Sequence, residues 1–505
     1  MYWLYESEIK RCLLCSDAPC SKACPDKLDP AKRIRSLYFN NEYSAIKDLP
    51  DTYCSSCSNE CEKACLLHEY DKTIRIRELM TYIEDLKEKA EQVNNDIKVD
   101  ISSDICGVKL ENPFLLSSSA VSSNYEMCAK AFELGWAGVS FKTVCSFSQH
   151  EASPRFSVLK NRTGSFFGFK NIEQLSNHAV EDDLKIFRQL KEKYPNKVII
   201  ASIMGRNEEE WEYLTRKSDE AGADIIELNF SCPNMEDNKL GVTIGQDEQL
   251  VEKYTRAARK GTKKPILAKM TPNVMEMSPY AIAAKKAGAD GIAAINTIKS
   301  ITGINIDTLV AEPSVKGHSS IGGYSGKAVK PIALRFIAEM HENKQLSDMH
   351  FSAMGGIEDY KDALEFLLLG AGSLQITTAV MQYGYRIIED LIEGLKGYMQ
   401  ERNITNLYQI IGGALDSVVE LDELERDTIL FPKFNTDECL GCGRCYISCF
   451  DGGHQAIDFD PIKRKPKLLG NKCVGCHLCR LVCPAGAISV QSKRIHRSVT
   501  PKENE

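Results

Sequence analysis

The sequence predicts an α/β protein built around a (β/α)₈ TIM barrel, with a small cysteine-rich module at each end. Short apolar runs alternate with amphipathic helical stretches over residues 100–415, a pattern typical of a parallel sheet. Eight such runs in about 300 residues favour a closed barrel. Eight of the 20 cysteines lie between Cys12 and Cys65, and eight more lie between Cys439 and Cys483. Because they gather at the two ends, these cysteines indicate metal ligation and not a disulfide framework.

The predicted barrel strands are Phe114–Ser118, Gly138–Lys142, Val198–Met204, Asp224–Asn229, Pro265–Met270, Gly291–Asn296, His350–Met354 and Ser373–Thr377. A doubly wound open sheet is the alternative fold for strands that alternate with helices. Its phosphate fingerprint, G-x-G-x-x-G at the start of a βαβ unit, does not occur in the sequence. The barrel is therefore the favoured fold.

Changes in composition along the chain predict its organisation. We expect a helical cysteine-rich domain over residues 1–99, the barrel over 100–415, an acidic linker over 416–434, a second cysteine-rich domain over 435–492 and a flexible tail over 493–505.

Charge and hydropathy exclude two classes of partner. The net charge of -7 gives no electrostatic case for binding nucleic acid. No apolar run reaches the roughly 18–20 residues that span a bilayer. The segment Met1–Lys10 lacks the apolar core of a signal peptide. We therefore expect a cytoplasmic protein with neither a nucleic-acid nor a membrane partner.

The C-terminal cysteines repeat the spacing C-x₂-C-x₂-C-x₃-C, and Pro484 follows the second run. This doubled run is the bacterial two-cluster ferredoxin pattern, in which the fourth cysteine of each run ligates the other cluster. One [4Fe–4S] centre is expected to take Cys439, Cys442, Cys445 and Cys483, and the other Cys449, Cys473, Cys476 and Cys479. Zinc is the alternative metal, but zinc sites usually use paired C-x₂-C knuckles.

The N-terminal cysteines form two less regular runs, C-x₂-C-x₄-C-x₃-C-P and C-x₂-C-x₃-C-x₃-C. Eight thiolates suit two further [4Fe–4S] centres, with zinc or a single cluster as the alternatives. If ligands are exchanged here too, one centre takes Cys12, Cys15, Cys20 and Cys65, and the other takes Cys24, Cys54, Cys57 and Cys61.

Polar residues gather where the predicted barrel strands end, which is where TIM barrels place their chemistry. They are Ser117, Ser118, Ser119, Lys142, Thr143, Asn171, Asn229, Ser231, Cys232, Asn234, Lys269, Asn296, Thr297, Gly355, Gly356, Thr377 and Thr378. Each alone has a structural explanation: asparagine and serine form turns, and an isolated cysteine is more often a small buried apolar residue. Together they indicate a site, because all of them fall at the same end of the barrel.

The residue types indicate the kind of ligand. Glycines and small polar residues after strands seven and eight are where a TIM barrel holds a phosphate. Lys142 and Lys269 are placed to stabilise negative charge on a reduced flavin. The three asparagines suit a flat ligand that alternates amide donors and acceptors.

At these residues the chain resembles the dihydropyrimidine dehydrogenase family, whose barrel is similar to that of dihydroorotate dehydrogenases and binds FMN. The similarity extends over nearly the whole chain and is greatest to the bacterial catalytic subunits, with an N-terminal Fe–S domain added. It is carried by Asn112-Pro-Phe, Ser153-Pro-Arg-Phe, Ala201-Ser-Ile-Met-Gly, Asn229-Phe-Ser-Cys-Pro, Ala268-Lys-Met-Thr-Pro-Asn, Asn296-Thr297 and Gly322-Gly-Tyr-Ser-Gly.

The resemblance implies a role for each matching residue. Cys232 matches the loop cysteine that exchanges a proton with pyrimidine C5. The groups that hold the pyrimidine are matched by Asn171, Asn229, Ser231, Asn296 and Thr297. Lys142 and Lys269 match lysines beside the flavin ring. The rest of the FMN site is matched by Ser118, Thr143, Gly326, Gly355, Gly356, Thr377 and Thr378.

Three departures from the single-chain members of the family bear on function. Their FAD and NADPH domains are absent from this sequence. Where they use a glutamine as a cluster ligand, this chain has Thr81, so that Cys54 or Cys57 must substitute. Asn234 stands where they have histidine, as it does in dihydroorotate dehydrogenases.

The resemblance implies reduction of the C5–C6 double bond of uracil or thymine, or the reverse reaction. Dihydroorotate oxidation is the alternative activity, although no cationic site for its carboxylate can be assigned. An electron-carrying Fe–S subunit with a non-catalytic barrel is the alternative of another class. We expect a homodimer and an external redox partner, either an FAD/NAD-binding subunit, a ferredoxin or a flavodoxin.

Overall fold

The computed structural model describes residues 2–50, 54, 57–90, 97–147, 150–161, 164–235 and 240–496. The chain forms two compact units. The larger comprises residues 9–417, and the smaller comprises residues 1–8 together with 418–505. No helix among the described residues is long and apolar enough to cross a membrane.

The N-terminal segment is helical, as predicted. Its helices are α1 (Tyr2–Lys10), α2 (Pro19–Lys22), α3 (Pro30–Tyr38), α4 (Glu42–Ile46), α5 (Glu60–Lys63) and α6 (Ile76–Ala90). Asp29 caps α3 and Asn41 caps α4, each accepting a hydrogen bond from a backbone N–H of the first turn.

The N-terminal helices from residue 9 onward belong to the same compact unit as the barrel. Arg35 Nε donates to Asp390 Oδ2 at 2.9 Å, and Ser36 Oγ donates to Asp390 Oδ1 at 2.8 Å. Asn40 Nδ2 donates to Asp359 at 2.6 Å. The described part of the predicted N-terminal domain from residue 9 onward is therefore held against the barrel by polar contacts, which composition alone does not reveal.

A hairpin closes the bottom of the barrel. It pairs β1 (Ser103–Ile105) with β2 (Val108–Leu110) in antiparallel register. Ile105 and Leu110 are buried and pack against Leu115, Val198 and Leu267, which point into the barrel. This apolar cluster is the lower core of the barrel.

Among the described residues, eight parallel strands form the closed barrel that the sequence predicts. They are β3 (Phe114–Leu116), β4 (Gly138–Ser140), β8 (Val198–Met204), β9 (Ile225–Asn229), β10 (Ile266–Lys269), β11 (Gly291–Ala294), β16 (His350–Met354) and β17 (Ser373–Ile376). Each pairs with the next around the ring, and β4 pairs with β8, so that no edge is left open. A short strand, β5 (Val144–Cys145), extends the sheet beside β8.

Helices surround the barrel strands. They are α7 (Tyr125–Leu134), α8 (Val180–Lys193), α9 (Glu208–Glu220), α11 (Glu248–Gly261), α12 (Ser278–Lys286), α13 (Lys330–Glu342), α14 (Tyr360–Leu368) and α16 (Ile387–Glu401). Two short helices, α10 (Val242–Gly245) and α15 (Thr378–Tyr383), lie in the loops after the fourth and eighth barrel strands.

Loops after the second and sixth barrel strands form an antiparallel cap sheet that the sequence analysis did not predict. Its strands are β6 (Phe156–Lys160), β7 (Phe166–Asn171), β12 (Ile298–Ser300) and β15 (Gly322–Ser325), in the order β12-β15-β7-β6. A hairpin of β13 (Ile304–Asn305) and β14 (Val310–Ala311) extends from it. The expected loop around Asn171 is therefore a strand, which pairs with its neighbour β6 and with β15, about 150 residues away along the chain.

The C-terminal unit contains β18 (Thr428–Phe434), α17 (Arg444–Gly452), β19 (Ile457–Asp460), β20 (Lys465–Leu468), α18 (Leu478–Leu481) and β21 (Ile488–His496). Two predicted boundaries differ here, because β18 pairs with β21. Residues 428–434 belong to this sheet and not to the linker, and residues 493–496 belong to β21 and not to the tail. The rest of the predicted tail, residues 497–505, lies outside the described residues.

Candidate active site and iron–sulfur centres

A cleft of about 1070 Å³ opens at the C-terminal ends of the barrel strands. Its lining includes all the predicted site residues except Ser231, which lies buried directly behind Asn229 and Asn296. The members that line the cleft are Ser118, Lys142, Thr143, Asn171, Asn229, Cys232, Lys269, Asn296, Thr297, Gly326, Gly355, Gly356, Thr377 and Thr378.

Asn229 and Asn296 are held in place by hydroxyl groups. Asn229 Nδ2 donates to Thr143 Oγ1 at 2.9 Å, and Ser231 Oγ donates to Asn229 Oδ1 at 3.0 Å. Asn296 Nδ2 donates to the same Ser231 hydroxyl at 2.7 Å. Ser118 Oγ shares a hydrogen bond of 3.2 Å with Thr143. This network links the ends of four barrel strands and fixes the orientation of both amides.

The amide of Asn171 is oriented by a neighbouring asparagine. Asn171 is the last residue of β7, and Asn234 Nδ2 donates to its Oδ1 at 3.0 Å. The same Nδ2 donates to the carbonyl of Glu173 at 2.9 Å. Asn234 Oδ1 is buried and has no hydrogen-bond partner in the described part of the chain. It is therefore an acceptor available to a ligand in the cleft.

Lys269 is paired with a buried glutamate that the sequence analysis missed. Lys269 Nζ lies 3.0 Å from Glu227 Oε1, and the two side chains are 3% and 0% exposed. Ser140 Oγ and Gln375 Nε2 also donate to Glu227, at 3.0 Å and 2.9 Å. The sequence feature that could have revealed Glu227 was a charged residue inside an apolar run, because a glutamate is rarely buried without a partner.

Lys142 lies against two further carboxylates that were not predicted. Its Nζ is 3.1 Å from Glu173 Oε1 and 3.3 Å from Glu151 Oε1. Glu151 also accepts the backbone N–H of Gln174 at 3.1 Å, and Arg155 lies 3.6 Å from Glu173. The predicted lysine is present in the cleft, but its charge is balanced by the loops above it.

Cys232 is buried, 7% exposed, in the loop after β9. Its carbonyl accepts the N–H of Val242 at 3.0 Å, which folds the loop back onto itself. Desolvation by burial raises the pKa of the thiol to about 11. Cys232 therefore carries a proton at neutral pH, as a proton donor must.

The glycines after barrel strands six and seven leave space at the opposite end of the cleft. At Gly356 φ is +79°, and a Cβ there would lie 2.9 Å from Gly326 O. Ser325 Oγ shares a hydrogen bond of 2.9 Å with Thr378, at the start of α15. Glycines beside a helix start are a common phosphate-binding arrangement.

The cysteines group as the predicted ligand exchange requires. In the larger unit one cavity is lined by Cys12, Cys15, Cys20 and Cys65, and another by Cys24, Cys54, Cys57 and Cys61. In the smaller unit the two sets are Cys439, Cys442, Cys445 and Cys483, and Cys449, Cys473, Cys476 and Cys479. The fourth cysteine of each run thus lies with the other run.

The thiols surround cavities and do not converge on single points. Among the described residues, no group of three or more His, Cys, Asp or Glu is arranged to hold one ion. A cubane takes one thiolate at each of four corners, whereas zinc needs four ligands about 2.0–2.3 Å from one atom. Backbone N–H groups donate to Cys439 Sγ at 3.4 Å and to Cys449 Sγ at 3.3 Å, as hydrogen bonds to cluster sulfurs require.

Thr81 takes no part in either N-terminal cavity. Its side chain is exposed and donates to the carbonyl of Arg77 at 3.2 Å. Cys54 and Cys57 both line the cavity of Cys24 and Cys61. That cavity is thus lined by four cysteines, and Thr81 is not part of its lining.

Family models match three regions of the chain. A model described as "Dihydroorotate dehydrogenase" matches residues 100–399. "Dihydropyrimidine dehydrogenase domain II, 4Fe-4S cluster" matches residues 4–92, and "4Fe-4S dicluster domain" matches residues 433–490. Fold and site together define a barrel of the dihydroorotate dehydrogenase class, with one 4Fe-4S domain before it and one after it in the sequence.

Individual relatives narrow the assignment. "NAD-dependent dihydropyrimidine dehydrogenase subunit PreA" of Escherichia coli (strain K12) is 54% identical over 391 residues, which are 77% of this chain and 95% of the relative. The chloroplastic "Dihydropyrimidine dehydrogenase (NADP(+))" of Arabidopsis thaliana is 38% identical over 63% of this chain and 77% of the relative. The chain belongs to the dihydropyrimidine dehydrogenase family.

Dihydroorotate dehydrogenases are more distant. "Dihydroorotate dehydrogenase B (NAD(+)), catalytic subunit" of Pyrococcus abyssi is 36% identical over 61% of this chain and 97% of the relative. A solved structure of DHODH from Eimeria tenella has a TM-score of 0.52 at 18% identity, covering 66% of this chain and 94% of that one. At that identity the structural likeness supports the fold alone.

Proposed function

We propose that this chain reduces the C5–C6 double bond of uracil or thymine to the 5,6-dihydropyrimidine, or catalyses the reverse reaction. The observation that carries the proposal is a buried, protonated Cys232 lining a cleft whose other walls hold oriented amides. Two of the relatives are named as dihydropyrimidine dehydrogenases.

The cleft fits FMN by two observations. Gly356 leaves space that a side chain would fill. Gln375 Oε1, which lines the cleft, is buried without a hydrogen-bond partner among the described residues. The residues that would hold FMN are Ser118, Lys142, Thr143, Lys269, Gly326, Gly355, Gly356, Thr377 and Thr378. Bound FMN supplies the hydride that a carbon–carbon double bond needs, which no side chain supplies.

The side chains of the cleft perform the remaining tasks. The amides of Asn171, Asn229 and Asn296 match the alternating N–H and C=O groups of a pyrimidine edge. Thr297 lines the cleft next to Asn296. Ser231 lies behind the cleft wall and forms hydrogen bonds with the side-chain amides of Asn229 and Asn296. Cys232 delivers a proton to C5, so that no free carbanion develops. Lys269, which is paired with Glu227 at 3.0 Å, would place its ammonium group beside the cofactor.

The four cysteine cavities support four [4Fe–4S] centres, two at each end of the chain. Electrons that arrive singly through such centres reach the barrel without a nicotinamide. The name of the Escherichia coli relative identifies it as a subunit, which supports an external redox partner for this chain. That partner is an FAD/NAD-binding subunit, a ferredoxin or a flavodoxin.

A homodimer is supported by an exposed apolar surface on the barrel unit. Ile301, Ile304, Ile306, Leu309 and Ile321 are each more than half exposed, around the β13–β14 hairpin. Apolar groups gathered in this way typically mark a protein interface. A second copy of this chain is the proposed occupant of that surface.

Orotate and uracil distinguish the two candidate activities. Orotate needs a cation for its carboxylate, and the cleft lysines Lys142 and Lys269 are both already paired with glutamates. We expect dithionite-reduced protein, mixed anaerobically with each ring, to be reoxidised by uracil or thymine and not by orotate. Reoxidation by orotate alone would assign dihydroorotate chemistry, and reoxidation by none of the three would favour a non-catalytic barrel.

A further inference from the structure

The barrel contributes a cation to one of the two N-terminal cysteine cavities. Arg386 lies in the turn between α15 and α16, and its guanidinium donates to the carbonyl of Leu14. It also donates to the carbonyl of Cys15, at 3.5 Å. Both carbonyls belong to the C-x₂-C loop that carries two of the four thiols, and Arg386 lines their cavity. A fixed positive charge therefore lies against the proposed cluster site.

The turn that carries Arg386 is fixed to the barrel. Tyr385 Oη donates to the carbonyl of Val121 at 2.7 Å. The indole N–H of Trp136, a buried side chain, donates to the carbonyl of Tyr385 at 2.9 Å. The guanidinium is thus held in position by the barrel and does not depend on an incoming cluster to order it.

The charge on Arg386 is not cancelled by an adjacent carboxylate. Two other cations line the same cavity, and both are paired: Arg35 with Asp390 at 2.9 Å and Lys32 with Glu389 at 2.8 Å. Within the described residues Arg386 has no ion pair. Of the three cations, Arg386 is the one without a directly paired carboxylate, and Asp390 acts on it only as a nearby charge.

The described lining of the second N-terminal cavity contains no cation. Its charged residues are Asp26 and Glu60, and Glu60 is paired with Lys63 at 2.8 Å. Reduction adds an electron to an already anionic centre, so a nearby cation favours it and nearby carboxylates oppose it.

We propose that Arg386 raises the reduction potential of the iron–sulfur centre held by Cys12, Cys15, Cys20 and Cys65. The proposal rests on the cofactor set given under Proposed function. It orders the two N-terminal centres: an electron that enters at the centre of Cys24, Cys54, Cys57 and Cys61 moves toward the centre beside Arg386. The barrel thereby sets the direction of electron flow inside the N-terminal segment.

The test is an EPR-monitored redox titration of the full, anaerobically purified chain. Arg386→Gln should shift one cluster midpoint to a more negative potential, by at least tenfold in the reduction equilibrium, which is about 59 mV for one electron. Arg386→Lys keeps the charge and should retain most of the wild-type midpoint. Arg188→Gln, an exposed arginine of α8 paired with Glu181, is the matched control and should shift none.

A variant of opposite sign keeps the test decisive if Arg386→Gln lowers the iron content. Glu389→Gln removes a negative charge from the same cavity and should shift the same midpoint to a more positive potential. Unmoved midpoints in fully loaded Arg386→Gln, or an equal shift in Arg386→Lys, would overturn the proposed role of the charge. A wild-type protein without N-terminal clusters would overturn the cofactor set as well, so iron content separates the two failures.

Discussion

At the scale of single residues, burial keeps the thiol of Cys232 protonated. Its pKa is raised because the thiolate would be desolvated, with Glu151 and Glu173 adding negative charge and Lys142 opposing them. A cysteine with a lowered pKa would be a nucleophile, whereas this thiol stays protonated. Burial therefore keeps on Cys232 the proton that the proposed reaction requires.

Replacement of Cys232 by alanine should leave FMN and iron content unchanged and remove most uracil turnover. A general acid typically contributes about 10²–10⁴-fold, so a loss of that size in kcat is expected. Cys145→Ala is the matched control, because Cys145 is also buried but belongs to no ligand set. Near-normal turnover of Cys232→Ala in a steady-state assay would assign the acid elsewhere.

The expected pH dependence of uracil reduction follows from the raised pKa of the Cys232 thiol. Because burial raises the pKa of Cys232 to about 11, the thiol stays protonated through pH 9, the ordinary value for a cysteine. Uracil reduction that depends on this proton should remain level from pH 7 to pH 9 and fall only as the pH passes through about 11. A profile of kcat centred near pH 9 would contradict the buried, protonated thiol.

Asn171→Ala and Asn296→Ala should each weaken pyrimidine binding while FMN remains bound. A buried partner left unpaired costs about 1–3 kcal/mol, which is roughly a 5- to 150-fold rise in the dissociation constant. Binding titrations with uracil and the flavin absorbance of the same samples measure the two effects separately. Loss of FMN from both variants would place these amides in the cofactor site.

At the scale of elements, the N-terminal helices and their loops bring cysteines from two runs together. Cys65 follows α5 in the second run, but it lines the cavity of Cys12, Cys15 and Cys20. The structure therefore predicts that one substitution in the second run damages the cluster of the first.

Iron analysis tests this exchange. The wild-type protein, purified anaerobically, should hold about sixteen iron atoms per chain, four for each set of four cysteines. Cys65→Ser should lose about four of them together with the midpoint assigned to the centre beside Arg386, whereas Cys61→Ser should lose the other N-terminal centre. Identical losses in the two variants, or zinc in place of iron, would refute the assigned sets.

At the scale of the whole molecule, the chain combines a barrel with 4Fe-4S domains, and its sequence lacks the dinucleotide-binding fingerprint. Hydride from a nicotinamide must be divided into single electrons before it enters an iron–sulfur chain, and a flavin normally does this. The one flavin site proposed in this chain serves the pyrimidine, and no G-x-G-x-x-G fingerprint opens a βαβ unit in the sequence.

The isolated chain should therefore reduce uracil at a negligible rate with NADH or NADPH alone. Adding a reduced ferredoxin, or a flavoprotein reductase, should restore turnover in the same steady-state assay. Dithionite as donor is the control for an active barrel. Rapid uracil reduction with a nicotinamide and no added protein would overturn the requirement for a partner.

The fold, the iron–sulfur modules and the identity of most residues around the cleft followed from the sequence by itself. Eight apolar runs specify a barrel, and the carboxyl ends of parallel strands must meet on one face, so polar residues after successive strands converge. Cysteine spacing was equally informative, because the thiolates of one run can bind the same cubane only when they are close together in the sequence.

Contacts between residues that are far apart in the sequence were visible only in the tertiary structure. In the sequence, Glu227 lies within an apolar strand. Only the structure shows that Lys269 lies 3.0 Å from it. The cap sheet joins β7 to β15, and Arg386 meets a loop more than 300 residues earlier. Spacing reveals contacts within one element or motif, whereas pairs separated by hundreds of residues depend on how whole elements pack. The charges that balance the lysines, and the cation beside one cluster, were therefore decided by packing alone.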